Sequence, residues 1–106
     1  MIYLINSPRL TSFGHFSYEE ITREEVRNYL IGEYTSLIGH TSTGELINWI
    51  LQLKEPVAVS REELKQKPGD IAIVFELILR DKTFRELSFD ELKQLPSRWG
   101  LLKRLT

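Results

Sequence analysis

The chain has 106 residues, 42% of them hydrophobic and 27% charged, a balance typical of one globular domain. Its net charge of −1 disfavours a protein that coats duplex DNA, because such binding depends on a strongly positive surface. No cysteine is present, the two histidines lie far apart, and no apolar run approaches the roughly 20 residues of a membrane span, so we expect a cytoplasmic protein without metal or other cofactor.

The first half of the chain predicts two strands and two helices. Residues 2–5 are continuously apolar, which favours a buried strand, and a second short strand is expected near Phe16. Thr22, followed by glutamate three residues on, has the spacing of a capping box, so a helix should begin there. Ser42 repeats this spacing, which predicts a second helix with Ser42 as its N-cap.

The second half predicts three strands and a third helix. Residues 57–59 favour a short strand, and residues 71–79 form the longest β-like run, which suits a central strand. Ser88 begins a third capping box, for a short helix that ends before Pro96. Residues 101–105 predict a last strand at an edge, because two charges fall in it. The alternation indicates an α/β fold, a single compact domain with a mixed β-sheet of about five strands flanked by helices.

The segment 38–43 combines features that suit a phosphate. Gly39 lets a ligand approach the backbone, and the first turn of the following helix exposes unpaired N–H groups at the positive end of its dipole. Three residues add hydroxyl groups: Thr41, Ser42 and Thr43. His40 lies at the rim, where a side chain that exchanges protons near neutral pH can protonate a leaving alkoxide. The same pattern also fits a plain helix cap beside a solvent-facing histidine.

Other patterns of catalysis are absent from the sequence. There is no cysteine nucleophile, no Gly-x-Ser-x-Gly elbow and no phosphate-binding loop ending in Gly-Lys-Ser/Thr. Chemistry in which the substrate supplies its own nucleophile stays open. RNA does so when its 2′-hydroxyl attacks the adjacent phosphodiester, and the protein then needs only to position the ribose, hold the phosphate and protonate the 5′ oxygen.

Six segments spread over most of the chain carry a resemblance to a known family. They are residues 2–7, the motif Ile38-Gly39-His40-x-Ser42-Thr43, Arg61, residues 68–75, Arg80 and the tail 95–105. In order and spacing they resemble the viral ring nucleases, type III anti-CRISPR proteins that degrade cyclic tetra-adenylate. The resemblance covers the chain as one ring-nuclease-like domain, residues 1–106.

The resemblance implies a homodimer that holds the ring at the subunit interface. It further implies cleavage without a metal, to linear products with 2′,3′-cyclic phosphate ends. His40 would be the general acid, and Arg80 the second catalytic residue. Substrate-binding residues would be Asn6, Gly39, Thr41, Ser42, Thr43, Arg61 and Glu76.

Two positions depart from that family. Relatives commonly carry glutamine where this chain has Glu76, and a carboxylate near a phosphate needs a neutralising cation, such as Arg80 four residues on. A glutamate just after the long strand of some members has no match, since Thr83 is found there, with Asp81 nearby.

The sequence therefore predicts an enzyme that removes a cyclic oligoadenylate messenger and so suppresses type III CRISPR signalling, in the host cytoplasm if virus-encoded. The alternative is a non-catalytic binder of the same ligand, or of nucleic acid, from a virus or mobile element. His40 favours the enzyme, because a binder needs arginines but no proton donor. Glu76 keeps the alternative open. No membrane partner and no stable duplex DNA complex are expected.

Overall fold

Strands and helices alternate in the described parts of the chain, which are residues 1–10, 12–79 and 87–106 of a computed structural model. The strands are β1 (Ile2–Ile5), β2 (Phe16–Ile21), β3 (Thr35–Ser36), β4 (Ile71–Leu77) and β5 (Ser97–Arg104). The helices are α1 (Arg23–Leu30), α2 (Thr41–Leu51) and α3 (Phe89–Gln94). The predicted α/β fold with a mixed five-stranded sheet is confirmed, although β3 was not predicted.

The sheet, in the order β2-β5-β4-β1-β3, joins a parallel half to an antiparallel half. β1 lies between β3 and β4 and is parallel to both, with Leu4 opposite Ser36 on one side and Ile73 on the other. β5 is antiparallel to β4 and to β2. Because β1, β3 and β4 run the same way, their carboxyl ends meet at one edge, where α/β sheets commonly bind ligands.

All three helices pack on one face of the sheet. Alternate strand residues such as Leu4, Ile73 and Phe75 point to this face and meet buried residues of the helices, among them Val26 and Leu46. The opposite face carries a smaller cluster: Ile5, Leu64, Ala72, Val74 and Leu102. None of the helices in the described residues is long and apolar enough to cross a membrane.

Two of the predicted capping boxes are present, at the starts of α1 and α3. The hydroxyls of Thr22 and Ser88 each accept a hydrogen bond from the N–H of the glutamate three residues on. That glutamate's carboxylate accepts one in return from the N–H of the cap residue. Local sequence therefore sets both helix starts.

The third predicted cap, Ser42, is wrong. α2 begins at Thr41, and His40 is its N-cap. His40 has an extended backbone (φ −129°, ψ 130°), and its carbonyl accepts the first helical hydrogen bond, from Gly44 N–H at 3.1 Å. Ser42 is thus already helical, and Glu45 takes no part in a cap.

The strand predicted at residues 57–59 is reduced to one isolated parallel bridge, between Val59 and Ile38. A side chain replaces part of the ladder, since the Ser36 hydroxyl donates a hydrogen bond to the Ala58 carbonyl at 2.6 Å. The bridge still holds the segment beside the end of β3.

The last strand, predicted at an edge, lies inside the sheet between β4 and β2. Its charges do not need an edge, because Arg104 donates hydrogen bonds to the carbonyls of Gln66 at 2.6 Å and Phe13 at 3.1 Å. The long strand also ends at Leu77 rather than at residue 79.

Candidate functional site

A cavity of about 770 Å³, here the large cavity, opens at the carboxyl edge of the parallel strands. Its polar side comes from the ends of β1 and β3, the start of α2 and the segment after Val59: Asn6, Gly39, His40, Thr41, Ser42, Thr43, Glu45 and Arg61. Its apolar side comes mainly from α3 and from the face of β4 on which the helices pack: Val59, Phe75, Leu77, Leu79, Leu87, Phe89 and Leu92. A polar rim thus faces an apolar wall.

A second opening of about 200 Å³, here the small cleft, lies against the other face of the sheet. Its walls include Ile5 and Leu64 of the smaller hydrophobic cluster, together with Arg9. Four residues line both openings: Asn6, Gly39, His40 and Arg61. These shared residues therefore form the boundary between the two openings.

The start of α2 directs hydrogen-bond donors toward the large cavity. Helix geometry leaves the N–H groups of Thr41, Ser42 and Thr43 without a partner inside the helix. Within the described residues, the N-cap His40 makes no side-chain capping hydrogen bond to them. The first turn of α2 has no acidic residue, whereas the first turns of α1 and α3 each contain two acidic residues. This end of the helix is therefore suited to an anion.

Most of the predicted site residues come together at these openings. They are Asn6, Gly39, His40, Thr41, Ser42, Thr43 and Arg61. Gly39 lies close to Arg61, since a Cβ at Gly39 would be 3.8 Å from Arg61 Cγ, an ordinary contact. Arg80, Asp81 and Thr83 lie outside the described residues.

Glu76 lines neither opening. It points to the face of β4 away from the large cavity, because its neighbours Phe75 and Leu77 point into that cavity. Its carboxylate pairs with Arg98 and accepts a hydrogen bond from the Tyr18 hydroxyl at 2.9 Å. The Arg98 guanidinium is the main reason that the pKa of Glu76 lies below its usual value, despite partial burial. The cation beside Glu76 is thus Arg98, which the sequence did not single out.

Tyr18 reaches Glu76 from β2 by crossing β5 above Gly100. A Cβ built at Gly100 would lie 2.6 Å from Tyr18 Cζ, so only glycine leaves room for the ring. Burial, followed by the hydrogen bond to the Glu76 carboxylate, raises the pKa of Tyr18 to about 12. We call these three side chains, Tyr18, Glu76 and Arg98, the Tyr18 cluster.

Comparison with known proteins shows the family. The family model described as STIV B116-like matches residues 2–99. The chain belongs to the STIV B116-like family. YddF of Bacillus subtilis (strain 168), described as an uncharacterized protein, is 31% identical over 107 residues, which cover 98% of this chain and 97% of YddF.

The fold is also that of a solved viral protein. B116 of Sulfolobus turreted icosahedral virus matches with a TM-score of 0.74 and 21% sequence identity, over 97% of this chain and 98% of B116. At that identity the match concerns the fold. This chain is thus similar in sequence to a bacterial protein and similar in fold to a viral one.

Three charged residues of this STIV B116-like chain line the openings without having been predicted. Arg9 and Glu62 line the small cleft. The place of Arg9 shortly after β1, on the same edge as Asn6, is a signal that could have found it. Glu45 lines the large cavity, whereas its spacing from Ser42 had indicated a capping role. Among the described residues, no group of three or more histidine or carboxylate side chains is placed to hold a metal ion.

Proposed function

We propose that this protein is a metal-independent ring nuclease that cleaves cyclic tetra-adenylate and so suppresses type III CRISPR signalling. The large cavity carries the proposal, because it joins His40, Arg61 and the start of α2 to an apolar wall. A nucleotide needs both parts. Its phosphate suits the helix N-terminus and the arginine, and its adenine suits the apolar side chains.

In the proposed reaction the substrate supplies the nucleophile. The 2′ oxygen attacks the adjacent phosphorus, the P–O5′ bond breaks, and the product ends in a 2′,3′-cyclic phosphate. Arg61 and the N–H groups of α2 stabilise the charge that develops on the phosphate oxygens. Asn6 contacts the ribose, and His40 donates a proton to the departing 5′ oxygen. Both side chains line the large cavity, which supports these proposed roles.

We also propose that two copies of the chain share one ring at their interface. The ring has four phosphates, whereas the described residues that line the two openings of one copy include two arginines, Arg9 and Arg61. A second copy would double that charge. Cleavage should then fall when dilution converts a dimer into monomers, as followed by analytical ultracentrifugation. Full activity in a verified monomer would refute the shared site.

The direct test is incubation with cyclic tetra-adenylate in EDTA. We expect the ring to disappear and linear products with cyclic phosphate ends to form, and His40→Ala to abolish this. His15→Ala is the matched control, because His15 contacts the Thr106 hydroxyl at 2.8 Å and lines neither opening. Tight binding with no turnover over hours would refute the enzyme and favour the non-catalytic binder.

A further inference from the structure

We propose that Glu45 is the general base that accepts the proton of the attacking 2′-hydroxyl. The inference rests on the ring-nuclease function proposed above. That reaction needs a proton acceptor on the 2′ oxygen as well as a donor to the 5′ oxygen. Of the described residues that line the large cavity, Glu45 is the one with a carboxylate, and it lines the cavity together with His40.

The start of α2 explains why Glu45 is available. In a capping box its side chain would be held by the backbone N–H of Ser42. Because the helix begins at Thr41 instead, that N–H belongs to the first helical turn. The Glu45 side chain is exposed to the cavity, and its carboxylate makes no hydrogen bond or ion pair with another described residue.

The spacing of Glu45 from His40 suits an in-line displacement. The base and the acid must lie on opposite sides of the phosphorus, roughly 10 Å apart, given the reach of a near-attack contact and of two hydrogen bonds. His40 is the N-cap and Glu45 the fifth residue of α2, so the helical rise separates their Cα atoms by about 7.5 Å along the axis. The two side chains therefore line the cavity from different levels of the helix.

The charge of Glu45 is compatible with a phosphate nearby. The first turn of α2 has no acidic residue, so its N–H groups and partial positive charge are not neutralised there. Glu45 lies beyond that turn, and a glutamate side chain on a helix leans toward the N-terminus. It can thus reach a ribose hydroxyl while the phosphate oxygens occupy the helix start.

The proposed step balances. The bond from the 2′ oxygen to phosphorus forms as the P–O5′ bond breaks. The 2′ proton moves to the Glu45 carboxylate, and the His40 imidazolium gives its proton to the 5′ oxygen. The products are a 2′,3′-cyclic phosphate and a 5′-hydroxyl, and exchange with water restores both side chains.

The test compares Glu45→Gln with Glu63→Gln, an exposed glutamate that lines neither opening. Glu45→Gln should lower kcat about 100-fold and change KM by no more than about threefold. It should also remove the acid limb of the pH profile of kcat/KM, which Glu63→Gln keeps. A ring with sulfur in place of the 5′ bridging oxygens, whose leaving group needs no proton, should restore cleavage by His40→Ala but not by Glu45→Gln.

Three outcomes would overturn the assignment. If the wild type cleaves the ring and Glu45→Gln keeps its kcat and pH profile, the base is not Glu45 and the ring nuclease stands. If Glu45→Gln raises KM at unchanged kcat, Glu45 contributes ground-state binding instead, for example to a base edge. If the wild type leaves the ring intact, the proposed function is refuted and the role of Glu45 falls with it.

Discussion

Gly100 is a position where one added methyl group should break a defined contact. In Gly100→Ala the new Cβ would lie 2.6 Å from Tyr18 Cζ, so the ring must move. The backbone at Gly100 does not lie in the left-handed region, so alanine adds no strain of its own. Tyr18 is 46% exposed, so its ring can swing into solvent, which would break its 2.9 Å hydrogen bond to Glu76.

The cost follows from the contacts that are lost. A hydrogen bond to a charged acceptor contributes about 1.5–3 kcal/mol, which we reduce to about 1 kcal/mol for a half-exposed donor. Uncovering about 50 Å² of apolar ring and strand surface adds about 1.2 kcal/mol. Alanine regains about 0.5–1 kcal/mol over glycine in a strand. Gly100→Ala should therefore lower the free energy of unfolding by about 1.5 kcal/mol.

A double-mutant cycle with Tyr18→Ala measures this coupling by urea denaturation. In the Tyr18→Ala background, Gly100→Ala should be neutral or slightly stabilising, because the clash is gone. As a second readout, NMR titration of the Tyr18 ring in Gly100→Ala should show its pKa falling from about 12 toward its usual 10.0, since the ring leaves Glu76 and its partly buried position. An equal loss of stability with and without the Tyr18 side chain would refute this explanation.

Three further predictions test other parts of the structure. Because the pKa of Glu76 lies below its usual 4.5, the ionised side chain stabilises the fold above pH 4.5, and this contribution is lost as the pH falls. Glu76→Gln should therefore make the free energy of unfolding, measured by urea denaturation, depend less on pH on the acid side. Ser88→Ala should lower the free energy of unfolding, measured by thermal denaturation, by about 1 kcal/mol, and Ser42→Ala should lower it clearly less because Ser42 is not a cap. Equal losses in the two variants would contradict a helix α2 that begins at Thr41. Arg61→Ala should raise the Kd for the ring at least about tenfold by calorimetry, with Glu76→Gln near wild type.

Local patterns predicted the parts of the fold that local chemistry decides. The caps at Thr22 and Ser88 need only the residues within one helical turn, and the apolar runs of β1 and β4 need only burial. The anion site was predicted at segment 38–43 from its own residues, and Gly39 to Thr43 do line the large cavity. Features that depend on residues close together in the sequence could therefore be predicted from it.

One error concerns where a helix begins, and the others concern contacts between distant segments. Ser42 has the spacing of a cap, but the backbone of His40 decides where α2 begins. The charges of β5 predicted an edge strand, but β2 pairs with the side of β5 that β4 leaves open, so β5 lies inside the sheet. Glu76 pairs with Arg98, which lies 22 residues later in the chain. The two residues are brought together by the register of β4 and β5, in which they are directly opposite.

The proposed reaction depends on the 2′-hydroxyl of the substrate as its nucleophile. Its most direct test is mass spectrometry of products from cyclic tetra-adenylate and from the same ring with 2′-deoxyribose, each incubated with the wild-type protein in EDTA. We expect 2′,3′-cyclic phosphate ends from the first ring and no cleavage of the second. Cleavage of the deoxy ring, or products that never carry a cyclic phosphate, would contradict it.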